Sequence, residues 1–154
     1  MCDNNPFEDW YVHSSFLQMK SSQQKLMFNI GGDHELFTEQ SKKICSESKI
    51  VLIEDNEDSW RNFHLRYESD KTIIPLHYSV SDKTDNFISY INTTKVNLNS
   101  LITIFGNPDL VRINTDSHFE AISGLSKKIG EICFRYKDEN YEQINSTCLR
   151  LKDL

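Results

Sequence analysis

Strand-like and helix-like stretches alternate along this 154-residue chain. That order predicts an α/β protein, a three-layer α/β/α sandwich around a mainly parallel sheet of about five strands. Two further observations point the same way. The apolar run Leu26–Ile30 meets Gly31 and Gly32 and passes at once into a helix. A glycine there lets the backbone turn tightly and aims the helix amino terminus at a ligand, as in nucleotide-binding α/β folds. Polar clusters then fall at the predicted carboxyl ends of the strands: Asn29 to Glu35, Glu54 to Asn56, Ser81-Asp82 and Asn114 to His118. Open α/β sheets bind ligands beyond those ends, near the point where strand order reverses.

The elements follow in order. Residues 1–24 carry Phe7, Trp10, Tyr11, Phe16, Leu17 and Met19 near helical spacing, which predicts a lead-in helix ahead of a single domain over 25–154. A helix over 36–45 is expected to turn Leu36, Phe37, Gln40 and Ile44 to one side. Ile50–Ile53 is a second buried strand, so the first 30 residues of the domain form a βαβ unit with a right-handed crossover. Trp60, Phe63, His64 and Tyr67 mark the next helix, and residues 72–80 the third strand, which Pro75 marks as an edge strand. Residues 86–91 alternate as a short hairpin or extra strand. Leu98, Leu101, Ile102 and Phe105 share one helical face, with Gly106 at the stop position and Pro108 beyond. Residues 109–113 form the fourth strand, 119–128 a helix carrying Ala121, Ile122 and Leu125, 131–136 the fifth strand, and 139–154 a final helix.

Composition bounds the function. With 38% hydrophobic residues the chain buries one core, and a net charge of −6 with interspersed signs offers no basic footprint, so no nucleic-acid partner is expected. Cys2, Cys45, Cys133 and Cys148 follow no metal-binding spacing and read as reduced thiols. The polar, acidic amino terminus lacks a secretory pattern, and no apolar run has membrane-spanning length. These features predict a cytoplasmic protein with no membrane partner.

The ordered motifs resemble the FkbM-like family of S-adenosylmethionine-dependent methyltransferases, which have the class I Rossmann-like fold. Asn29-Ile-Gly31-Gly32-Asp33-His-Glu35 is similar to that family's Asp-x-Gly-Ala-Asn-x-Gly after the first strand, and Glu54-Asp55-Asn56 to its Glu-Pro-Asn motif after the second. Leu98-Asn-Ser-Leu101 matches Leu-Asp-Ser-Leu, Arg112-Ile-Asn114-Thr-Asp116-Ser117 matches Lys-Ile-Asp-Val/Thr-Glu/Asp-Gly, and Ile122-Ser-Gly124 echoes Leu-x-Gly. The order holds from about residue 25 to 152. The resemblance implies S-adenosylmethionine as cofactor, held by Asn29, Gly31, Gly32, Asp33, Glu35, Glu54, Asn56, Asp82 and Asn114, with Asp116 and His118 as acid/base residues.

The departures carry equal weight. Asn29 replaces the carboxylate that in the family helps to hold the methionyl amino group, a charge-assisted hydrogen bond of about 1.5–3 kcal/mol. Glu35 replaces a glycine and brings a carboxylate to a helix amino terminus, where it is expected to fill the methionyl carboxylate's place. Asn114 and Ser117 replace an aspartate and a glycine, whereas Glu54, which would accept both ribose hydroxyls, is kept. The family sheet normally continues for two more strands, so the fifth strand is expected to be an open edge, and a homo-oligomer or protein partner is expected along 131–136.

Three functions therefore compete. One is an active O-methyltransferase on a small-molecule or sugar acceptor, which needs proximity and in-line approach more than acid/base groups. Another is a descendant with impaired or lost cofactor binding that acts in binding or assembly. Metal-dependent hydrolysis by Asp33, His34, Glu35 and Glu54 fits poorly, because consecutive turn residues point in different directions, and no metal is expected.

Overall fold

The computed structural model describes residues 25–32, 34–81, 94–115, 121–122, 125–127, 129 and 131–134. The expected lead-in helix, the extra strand over 86–91 and the final helix lie outside these residues, as do Asp33, Asp82, Asp116 and His118. The described elements are β1 (Leu26–Ile30), α1 (His34–Ile44), β2 (Lys49–Glu54), α2 (Glu57–Arg66), β3 (Ile73–Val80), β4 (Thr94–Val96), α3 (Leu98–Phe105), β5 (Leu110–Ile113) and β6 (Glu131–Phe134).

The six strands form one sheet in the order β4-β3-β2-β1-β5-β6, and every pair is parallel. The chain steps outward from β1 to β4, then returns to the other side of β1. Strand order therefore reverses between β1 and β5, and the crevice at such a reversal is where open α/β sheets bind ligands. The period of two along each strand sends alternate residues to opposite faces. Phe28, Ile30, Val51, Ile53, Val111 and Ile113 pack with Leu98, Leu101 and Ile102 of α3 and with Ala121, Ile122 and Leu125. Met27, Ile50, Leu52, Ile73 and Leu110 pack on the other face with Phe37 of α1 and Tyr67 beyond α2. This is the expected three-layer α/β architecture, with one short strand more than the five foreseen.

Local chemistry explains the element ends. Asn56 caps α2 and Asn97 caps α3, accepting from the backbone N–H of Ser59 and Ser100 at 2.9 and 2.8 Å. Gly106 ends α3 with φ 101°, its N–H donating to Ile102 at 2.8 Å, as its position implied.

Three details depart from the sequence reading. A strand that the sequence reading did not foresee, Thr94–Val96, pairs with Tyr78–Val80. Consequently β3 is not the outermost strand. β4 covers only its last three residues, and Pro75 lies on the stretch that β4 leaves bare, where a missing donor does no harm. Finally, α1 is rotated from the expected phase. Leu36 is 38% exposed, while His34, Phe37, Thr38 and Ser41 are buried. Their spacing of i, i+3, i+4 and i+7 is a proper helical stripe, but three of the four are polar, so it escapes a search for apolar periodicity. The Ser41 hydroxyl is satisfied by the Phe37 carbonyl at 2.6 Å.

Candidate functional site

The end of β1 is polar where a core strand would be apolar. Asn29 is fully buried and faces α1, on the same side as Arg112, its register partner on β5. Arg112 Nη1 donates to Asn29 Oδ1 at 3.0 Å and to the Gly32 carbonyl at 3.3 Å. Its guanidinium also lies over the Phe37 ring at 5.7 Å, which covers a cation that is only 5% exposed. Asn29 Nδ2 lies 2.8 Å from His34 Nδ1. His34, the first residue of α1, is fully buried under the edge of Phe63, with ring centroids 4.9 Å apart.

The far side of the imidazole meets β2. His34 Nε2 sits 3.2 Å from Glu54 Oε2, against the oxygen but not aligned with it for a linear hydrogen bond. Glu54 Oε1 accepts from the Asn56 N–H at 3.0 Å. A buried polar relay thus runs Arg112–Asn29–His34 and ends with the imidazole against Glu54, across three strands and a helix start. Burial pushes the Glu54 carboxyl up, but its polar contacts with His34, the Asn56 N–H and Asp55 outweigh it and hold Glu54 below its usual 4.5. Asp55 moves the opposite way. Burial, then the hydrogen bond and charge of Glu54, raise it above 3.8. Two adjacent carboxyls that share a proton separate in this manner, and the one with the better donors keeps the charge.

The glycine turn faces the crevice. Gly31 and Gly32 have φ of 70° and 38°, and the end of β5 lies against them. A Cβ on Gly31 would meet Thr115 Cγ2 and, at 2.9 Å, the Asn114 carbonyl; one on Gly32 would meet Asn114 Nδ2 at 2.8 Å. The freedom of these glycines is therefore used by the chain's own β5 loop. Beside them a cavity of about 70 Å³ is lined by Gly31, Asp55, Tyr78, Ser79 and Thr115, among others.

The expected site residues divide accordingly. Asn29, Gly31, Gly32, Glu54 and Asn114 converge at the ends of β1, β2 and β5. Glu35 does not join them: its carboxylate pairs with Arg66 at 2.6 Å, at the mouth of a depression between α1 and α2. The helix start is already occupied on its inner side by His34, so the next residue is turned outward. Asn56 contributes only its backbone N–H, because its side chain caps α2. Arg112 is the member that sequence reasoning did not assign to the site, and His34 entered it only as a rejected metal ligand. Among the described residues no three His, Cys, Asp or Glu side chains converge as a metal site, and no helix is long and apolar enough to cross a membrane.

No protein-family pattern matches the chain, and no curated protein matches it in sequence. Solved structures do. Precorrin-6y C5,15-methyltransferase from Geobacter metallireducens superposes with TM-score 0.57 at 11% identity, over 94% of this chain and 69% of that one. N-methyltransferase NodS from Bradyrhizobium japonicum gives 0.52 at 13% identity, over 98% of this chain and 84% of that one. At such identities the likeness speaks for architecture alone, and it agrees with the strand order and the parallel sheet: the chain has the Rossmann-like α/β fold of these methyltransferases.

Proposed function

We propose that the chain is a methyltransferase-like domain of the FkbM type with impaired or lost S-adenosylmethionine binding, working in binding or assembly through a partner along β6. The observation that carries this reading is the relay. The residues that the resemblance assigns to the methionyl amino group and the ribose hydroxyls, Asn29 and Glu54, are engaged with Arg112, His34 and Asn56. A ligand would have to break contacts to charged groups, each worth about 1.5–3 kcal/mol. The packing of Thr115 on Gly31 supports the same reading.

Glu54 favours a second reading, an active O-methyltransferase. It stands at the end of β2 with its ionised form stabilised, as an acceptor of ribose hydroxyls would be. Calorimetric titration with S-adenosylmethionine and S-adenosylhomocysteine separates the two. The expected result is no heat at millimolar ligand. Micromolar binding that Glu54→Ala abolishes would establish the second reading and justify an acceptor screen.

A further inference from the structure

We propose that His34 closes the strand-end site to vicinal diols by standing against the Glu54 oxygen that such a ligand would need. This rests on the loss of nucleoside binding proposed above and names His34 as the residue that withholds Glu54. The basis is a row of donors whose direction is set from one end. An arginine can only donate, so Asn29 must turn Oδ1 to Arg112 and Nδ2 to His34. A ring nitrogen that receives an N–H cannot carry its own proton. The imidazole proton therefore sits on Nε2, the atom 3.2 Å from Glu54 Oε2.

The other Glu54 oxygen already receives the Asn56 N–H. A vicinal diol presents two hydroxyl donors to one carboxylate, and here Oε1 already accepts one donor, the imidazole stands against Oε2, and the side chain is left only 10% exposed. The ring has little freedom to leave. It is fully buried, with Phe63 of α2 packed edge-on against it and Asn29 beneath it. Arg112 thus acts as a positioning residue at the remote end of the row, and His34 as the closing one.

The test is titration of the full chain with adenosine and with 2′-deoxyadenosine, comparing the natural protein with His34→Ser. The natural protein is expected to give no heat. His34→Ser is expected to bind adenosine at least about tenfold more tightly than the natural protein, with no gain for the deoxynucleoside. Micromolar binding of adenosine by the natural protein would overturn the functional reading itself. A silent natural protein with an equally silent, folded His34→Ser would overturn the role of His34 alone. If circular dichroism finds His34→Ser unfolded, nitrogen NMR of the natural protein decides: a protonated Nε2 with a bare Nδ1 upholds the proposal, and a protonated Nδ1 overturns it.

Discussion

Gly31 carries two demands at once, a left-handed φ of 70° and a close approach by the β5 loop. Alanine satisfies neither. Its Cβ would press on Thr115 Cγ2 and the Asn114 carbonyl, and it would hold a backbone region that costs a non-glycine residue about 1–3 kcal/mol. Gly31→Ala is therefore expected to lower the urea midpoint by that order of stability without changing the transition slope. An unchanged midpoint would mean that the loop is free to retreat and that the crevice is less filled than its contacts imply. The glycines themselves were readable in the sequence, as was Glu54. What was not readable is who uses them. Arg112 and Asn29 meet 83 residues apart in sequence, and only the return of the chain from β4 to β5 brings them together.

At the scale of elements, the link between α2 and β3 shows how polar residues fix a strand entry. Asp70 accepts from the Thr72 hydroxyl at 2.6 Å and from its N–H at 3.0 Å, and Lys42 of α1 approaches at 3.9 Å. Lys42 Nζ also donates to Thr72 Oγ1 and to the Ser46 and Ser48 carbonyls, which ties the end of α1 to the start of β3. The Thr72 hydroxyl bond holds the Asp70 carboxyl below 3.8 against the opposing effect of burial, with the Thr72 N–H and Lys42 assisting. A depressed carboxyl favours the folded state above its unfolded pKa, and that contribution is lost as pH falls through the lower folded value. Asp70→Asn is accordingly expected to flatten the acid limb of the stability profile below about pH 4, with a small effect because the side chain is 42% exposed. Parallel acid limbs for the two proteins would refute it. The same elements show where pattern reading succeeds. The apolar stripe of α3 and its glycine stop are found as written, whereas the mostly polar stripe of α1 misled it.

For the whole molecule, the alternation of elements was enough to foresee a parallel sheet, because each crossover must be right-handed and must cover a face. It was not enough to foresee β4. A three-residue strand has no periodicity of its own and exists through its pairing with β3. The two sheet ends also differ in consequence. On one side β4 is too short to template another chain, which is a usual way to blunt an edge. On the other, β6 is the last strand among the described residues, paired with β5 over its four residues. Any backbone donors and acceptors on its outer side are a template for a further strand, and a second copy of the chain offers the same edge in return. The proposed assembly role then predicts self-association. Light scattering at micromolar concentration should give twice the 18.0 kDa of one chain. Because strand pairing rests on backbone hydrogen bonds rather than on exposed ion pairs, that mass should persist when salt is raised to about 1 M, where the screening length falls to about 3 Å. A dimer that dissolves in salt would place the contact on charged helix surfaces instead, and a monomer throughout would leave β6 to a different protein or to none.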